Sequence, residues 1–207
     1  MTITEDVDSI IWCATDFDGN RPKAIASLNA AFLFRAIASP TKGRVEIEGL
    51  TNILGGLKES KQTKIRLARY GSNNDYDGMD GPNDPTSFIL VSTSPSALND
   101  FETPFGEFNG LKRQGEGIVK NDFPSLSHVI LQMGKFDDNF VEESLDVSYE
   151  TVQQKQQIDV DAGEEAKIKK EKSKRKINRR DAARAAVDAL LDESLIGNSV
   201  EVWTALR

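Results

Sequence analysis

The stretch from Phe88 to Gly134 constrains this chain more than any other. An apolar run, Phe88-Ile89-Leu90-Val91, stops at Ser92-Thr93-Ser94-Pro95. A second, His128-Val129-Ile130-Leu131-Gln132-Met133, stops at Gly134. Short apolar runs closed by hydroxyl residues, proline or glycine are buried strands that feed loops. Between them, Phe108-Asn109-Gly110-Leu111-Lys112 leads into Arg113-Gln114-Gly115-Glu116, a helical segment. Strand, helix, strand is the unit of a parallel sheet, and ligands on such sheets sit beyond the carboxyl ends of the strands. The hydroxyls of Ser92, Thr93 and Ser94 and the ammonium of Lys112 would meet there.

The composition, 207 residues with 38% hydrophobic and 29% charged, suits one α/β domain over residues 1–207. No run approaches the roughly 20 apolar residues of a membrane span. The start of the chain is acidic (Glu5, Asp6, Asp8) rather than basic and then apolar, unlike a secretory signal. A single cysteine, Cys13, cannot form an internal disulfide, and a reducing compartment is expected. The net charge of −7 hides an asymmetry: residues 167–180 hold nine Lys/Arg against Glu171, a net +8, which leaves −15 on the rest. The acidic remainder argues against a general nucleic-acid surface, and the basic run is the one place where RNA or phosphate could bind. A solvated connector is the plainer account of it.

Residues 9–14 read as a strand ending in Cys13-Ala14-Thr15. Pro22 opens a helix with Ile25, Leu28, Phe32 and Ala36 at helical spacing. A second helix is predicted from Arg44 to Lys58, with Ile47, Leu50, Leu54 and Leu57 on one face. Residues 59–87 read as a loop insertion. It starts with a mildly β-prone piece, Lys64–Tyr70, and continues as an acidic, Gly/Asn/Pro-rich surface loop. The spacing of Asp75, Asp77 and Asp80 does not match a calcium loop, so no metal site is assigned. Residues 146–162 hold one or two edge strands, and 163–176 form a charged connector. Asn178 caps a last helix, with Asp181 as its reciprocal partner and Ala183, Ala186, Val187, Leu190 and Leu191 as the buried stripe. A final strand occupies 199–204. The strands at 9–14, 88–92, 128–133 and 199–204 are expected in one sheet, the first three neighbouring and parallel. His128, the single histidine, has no Cys/His/Asp cluster in sequence and is assigned a structural role.

The order strand, serines, aromatic-x-x-x-Lys, helix, strand, glycine resembles the second half of an atypical, NmrA-like short-chain dehydrogenase/reductase. Val7-Asp8-Ser9-Ile10-Ile11 resembles that family's fourth strand, and Val45-x-x-x-Gly49-Leu50-x-Asn52-Ile53-Leu54 the helix before its serine-bearing strand. Ile177-Asn178-Arg179-Arg180-Asp181-Ala182-Ala183 and Glu201-Val202 resemble its C-terminal signatures. The resemblance implies a three-layer, Rossmann-like, mostly parallel sheet and an NAD(P) cofactor against Cys13, Ala14, Thr15, Ser92, Lys112 and Gly134. It also implies catalytic roles for Ser94 and Lys112, with Glu116 matching as well. As plain residues, Ser94 is equally a turn or capping serine and Lys112 a solvated helix lysine.

Three departures pull the other way. Phe108 stands at the family's tyrosine position and has no proton to transfer. Gly134-Lys135-Phe136-Asp137-Asp138 resembles the family's turn beside the nicotinamide, but Gln132 and Met133 replace its Arg and Pro. No Gly-x-Gly-x-x-Gly opens a helix; Gly115-x-Gly117 and Gly55-Gly56 fall inside predicted helices. The family's amino-terminal glycine-rich half is therefore expected to be missing, and NAD(P) binding by this chain alone weak or absent. Two functions follow from the resemblance: a diverged, non-catalytic binding or assembly module, as in some plastid relatives, or an NAD(P)-dependent oxidoreductase or isomerase. The partner of the first would be another protein or the missing half.

Overall fold

The computed structural model describes residues 7–14, 43–71, 87–98, 107–137, 146–151 and 175–205. Both apolar runs of the organising stretch are strands, β2 (Phe88–Thr93) and β3 (His128–Met133), paired in parallel with Phe88 opposite His128 and Thr93 opposite Met133. On the outer side of β2 lies β1 (Ile10–Trp12), also parallel and shorter than its apolar run, so Cys13 and Ala14 follow it as irregular chain. Two short strands, β4 (Lys135–Phe136) and β6 (Lys176–Ile177), pair in parallel as a separate ribbon. The edge strand β5 (Asp146–Thr151) runs antiparallel to the last strand, β7 (Ser199–Ala205). The main sheet has the order β1-β2-β3-β7-β5, with β7 parallel to β3. This is the expected α/β, Rossmann-like, mostly parallel sheet.

Helices cover both faces. The first, α1 (Leu50–Gly71), is led by a π-helical turn over Arg44–Gly49. A short α2 (Pro95–Leu98) follows β2, and α3 (Glu107–Gly117) continues into a π-helical turn over Ile118–Asp122. The last, α4 (Arg179–Leu191), precedes β7. Side chains alternate along a strand, so β2 sends Phe88 and Leu90 to one face and Ile89 to the other. Phe88, Leu90 and Ile130 pack under α1 with Leu50, Leu54 and Leu57. Ile89, Val129, Leu131, Val200 and Val202 pack under α4.

Three expectations are corrected. The helix predicted to end at Lys58 runs on to Gly71, so Lys64–Tyr70 is helical and not β-prone, and the first part of the 59–87 insertion belongs to α1. Basic residues of this kind have good helix propensity, and an established helix propagates more easily than a new element nucleates. The stripe assigned to α4 is rotated: Asp181, Ala182, Ala185, Ala186 and Ala189 are buried, while Ala183 is exposed, Val187 is 51% and Leu191 82% exposed. The buried carboxylate decides the rotation, because Asp181 accepts from Thr204 Oγ1 on β7 at 3.2 Å. Alanines then meet the sheet and bring helix and strands close. Lys135–Phe136 is a strand where the sequence predicts a turn.

The predicted cap of α4 matches the structure. Asn178 Oδ1 accepts from the backbone N–H of Asp181 at 2.8 Å, and its Nδ2 donates to the Asp181 carboxylate at 2.9 Å. The segment 22–39, the acidic loop at 72–86 with Asp75, Asp77 and Asp80, and Thr15 lie outside the described residues. Among the described residues, no helix is long and apolar enough to cross a membrane.

Candidate functional site

The carboxyl ends of β2, β3 and β7 carry Ser92, Gln132 and Glu201 in one row. Ser92 is opposite Gln132 and Gln132 opposite Glu201, all on the face that α3 covers. All three are buried, at 4%, 3% and 3% exposure. Buried polar groups need partners, and α3 supplies those of Ser92 and Gln132. Glu116 accepts from Ser92 Oγ at 2.6 Å, from Gln132 Nε2 at 3.0 Å and from Arg113 Nη1 at 2.6 Å. Arg113 also donates to the Thr93 carbonyl. Glu201 pairs with Arg175 Nη1 at 2.5 Å, and that guanidinium lies 3.6 Å from the centre of the Trp203 ring. Gln132 Oε1 has no hydrogen-bond partner among the described residues.

Lys112 is one helical turn before Glu116. Its ammonium is 3.4 Å from Glu46 Oε1, with Lys112 12% and Glu46 3% exposed at the side chain. Two glycines allow this approach. A Cβ on Gly115 would come within 3.2 Å of the Glu46 carbonyl, and one on Gly43 within 2.5 Å of a Leu111 methyl. Gly43 also has φ 79°, a left-handed conformation that glycine adopts without strain. With α3 seated on the Arg44–Gly49 turn, Lys112 reaches a carboxylate in the interior instead of water. Around the pair is a cleft lined by Trp12, Ala14, Glu46, Leu90, Ser92 and Lys112, with a volume of about 10 Å3, roughly the room of one water.

The remaining predicted site residues are placed as follows. Ser94 is fully buried, and its Oγ accepts from the Ala97 backbone N–H at 3.2 Å as the cap of α2. Gly134 is a crossing point: its N–H donates to the Val202 carbonyl at 2.8 Å, and a Cβ there would lie 2.8 Å from the Arg175 carbonyl. Only glycine fits between β7 and the chain entering β6. Cys13 is exposed, and Ala14 lines the cleft. Phe108 lies in the first turn of α3, four residues before Lys112. His128 is buried at the opposite end of β3, with Nδ1 2.9 Å from the Leu126 carbonyl. Burial lowers its pKa below the usual histidine value, the Leu126 bond partly offsets this, and Lys120 lowers it further.

Sequence reasoning did not single out Glu46, Arg113 or Arg175. Glu46 had a visible signal, since it falls in line with Leu50, Leu54 and Leu57 at helical spacing, and a carboxylate on an apolar stripe is a buried one that needs a cation. Arg113 and Arg175 carry no such signal.

A dinucleotide needs backbone N–H groups at a glycine-rich helix start for its pyrophosphate, and a cation or hydroxyl for its ribose. The described residues do not fit that demand. The space that Gly43 leaves at the start of the Arg44–Gly49 turn is filled by Leu111, Lys112 is held by Glu46, and Ser92 donates to Glu116. Among the described residues, no cluster of His, Cys, Asp and Glu could hold a metal ion.

No family model and no curated protein matches this chain. Two solved structures are similar to this chain at low identity. One, described as an NAD-dependent epimerase/dehydratase from Bacillus halodurans, is 15% identical with a TM-score of 0.49, over 96% of this chain and 64% of that one. The other, a short-chain dehydrogenase/reductase (wide type) from Veillonella parvula in complex with NADP, is 16% identical with a TM-score of 0.40, over 74% of this chain and 56% of that one. This chain thus spans less than two thirds of either neighbour's length. At these similarities the description of the fold rests on the strand pairing itself.

Proposed function

We propose that this chain is a non-catalytic binding module built on a Rossmann-like sheet, and that NAD(P) is not its working ligand. One observation carries the reading: the hydroxyls and the ammonium expected to serve a ligand are engaged by neighbouring protein groups. Ser92 donates to Glu116, Lys112 pairs with Glu46, and Ser94 caps α2. A general acid or base must reach the substrate proton, and a hydroxyl nucleophile needs an adjacent base. Glu116, the carboxylate beside Ser92, is committed to Arg113 and Gln132 as well. Phe108, at the position of the family's proton donor, has none to give, a difference worth roughly 100- to 10,000-fold in rate where such catalysis operates.

The test is calorimetric titration of residues 1–207 with NADPH and NADH, together with NADPH oxidation over a panel of carbonyl substrates. Binding weaker than millimolar and no turnover are expected. Micromolar affinity, or turnover that Lys112→Ala abolishes, would overturn the reading in favour of an NAD(P)-dependent oxidoreductase.

A further inference from the structure

The basic run at 167–180 ends in the structure as β6 and the start of α4. There it meets β4: Lys135 and Lys176 share one face of the ribbon, and Phe136 stands on the other with Arg179 at its ring. Lys135 and Lys176 are register partners, and Phe136 is paired with Ile177. Ile177 is fully buried, but Phe136 is 44% exposed on the same two-residue ribbon. The Arg179 guanidinium lies 5.6 Å from the Phe136 ring centre. Lys135, Arg179 and Arg180 are exposed, and Lys176 is 43% exposed while it pairs with Asp137 at 2.8 Å. In sequence, Lys167, Lys169, Lys170, Lys172 and Lys174 lead directly into this ribbon.

We infer that the β4–β6 ribbon binds single-stranded nucleic acid, with a base stacked on Phe136 and the flanking phosphates on Arg179 and Arg180 at the start of α4. Every base has a π-face, so an exposed ring among cations suits a single strand without sequence preference. A cation beside the ring adds to the stacking. An acidic peptide would use the cations but would not need the exposed ring. The −15 carried by residues outside 167–180 repels a polyanion elsewhere, which confines it to this face. The inference rests on the reading of the chain as a binding module and names its partner. Its test is separate, because turnover with NADPH decides that reading and oligonucleotide binding decides this one.

The experiment is fluorescence anisotropy of labelled oligo-U and oligo-dT of about 12 nucleotides, in about 50 mM salt, with polyglutamate as competitor. The full chain is expected to bind both, in competition with polyglutamate only at large excess. Phe136→Ala should weaken binding about tenfold. Arg179→Gln with Arg180→Gln should weaken it and flatten the dependence of log K on log salt by about 0.7 for each phosphate that is no longer neutralised. If Phe136→Ala lowers the melting temperature, Arg180→Glu at an exposed position takes its place, with a loss of affinity expected. Absence of binding at low salt, unchanged affinity in a folded Phe136→Ala or Arg180→Glu variant, or equal affinity for polyglutamate would each overturn the inference.

Discussion

The two faces of the sheet are built from alternate residues of the same strands, yet they hold the chain together differently. Under α4 the face is mainly apolar, with Ile89, Val129, Leu131, Met133, Val200 and Val202 against Ala182, Ala185, Ala186 and Ala189, and a buried hydrogen bond from Thr204 to Asp181 at its end. Under α1 and α3 it begins as apolar, with Phe88, Leu90 and Ile130, and then turns polar at Ser92, Gln132 and Glu201. The first face is stabilised by close packing, where small side chains set the distance between helix and strands. The second places three carboxylates in the interior, Glu116 and Glu201 each paired with an arginine and Glu46 with Lys112, at the position where an open parallel sheet usually receives its ligand. A polar layer at that position is therefore no proof of a ligand; here Ser92, Gln132 and Arg113 all donate to Glu116.

The contrast can be broken first at its apolar side. Leu131 is fully buried, and Leu131→Ala should cost about 2–5 kcal/mol, read by urea or thermal unfolding. Leu191→Ala, on the 82% exposed side of α4, should stay within about 0.5 kcal/mol. Equal losses at the two positions would mean that α4 is not rotated as described.

A smaller effect tests the polar side. Glu116→Ala leaves the donors of Ser92 and Gln132 buried without a partner, so about 1–3 kcal/mol should be lost. The triple variant Ser92→Ala, Glu116→Ala, Gln132→Leu removes those donors together with the acceptor and should recover part of that loss, since apolar replacement of both partners can be nearly neutral. If the triple variant is worse than Glu116→Ala by the sum of its parts, the three side chains do not act as one network.

The smallest effect belongs to His128, at the apolar end of the same face. Its folded pKa lies below the unfolded value of about 6.5, chiefly through burial, so the neutral ring stabilises the fold. That contribution is complete above pH 6.5 or so and is lost as the pH falls toward the lowered value, because the unfolded chain then binds the extra proton. Stability measured from about pH 8 to pH 5 should fall more steeply for the natural chain than for His128→Gln. Parallel curves would remove His128 as the cause.

What could be read without coordinates is local or periodic. Four of the strands, the parallel order of the first three, and the Asn178 cap with Asp181 all follow from patterns a few residues long, and the structure agrees. The length of α1 and the rotation of α4 are not legible for the same reason. In α1 no stop signal marks Lys58, and in α4 several apolar residues could face inward until Thr204 engages Asp181 from another strand.

The sequence by itself determined that this chain forms an α/β sheet and where the polar and apolar runs of that sheet change over. Tertiary structure decided what the polar residues do. Lys112 was equally a ribose ligand or a solvated lysine, until α3 settled on Gly43 and brought it to Glu46. Ser92 was a candidate for the site, until Glu116 reached it across the top of β2. Gly134 was expected beside a cofactor, and only the structure shows that the chain entering β6 passes against it and β7. The physical reason is common to all three. A charge or a hydroxyl binds whatever lies within a few ångströms, and those neighbours come from segments far away along the chain.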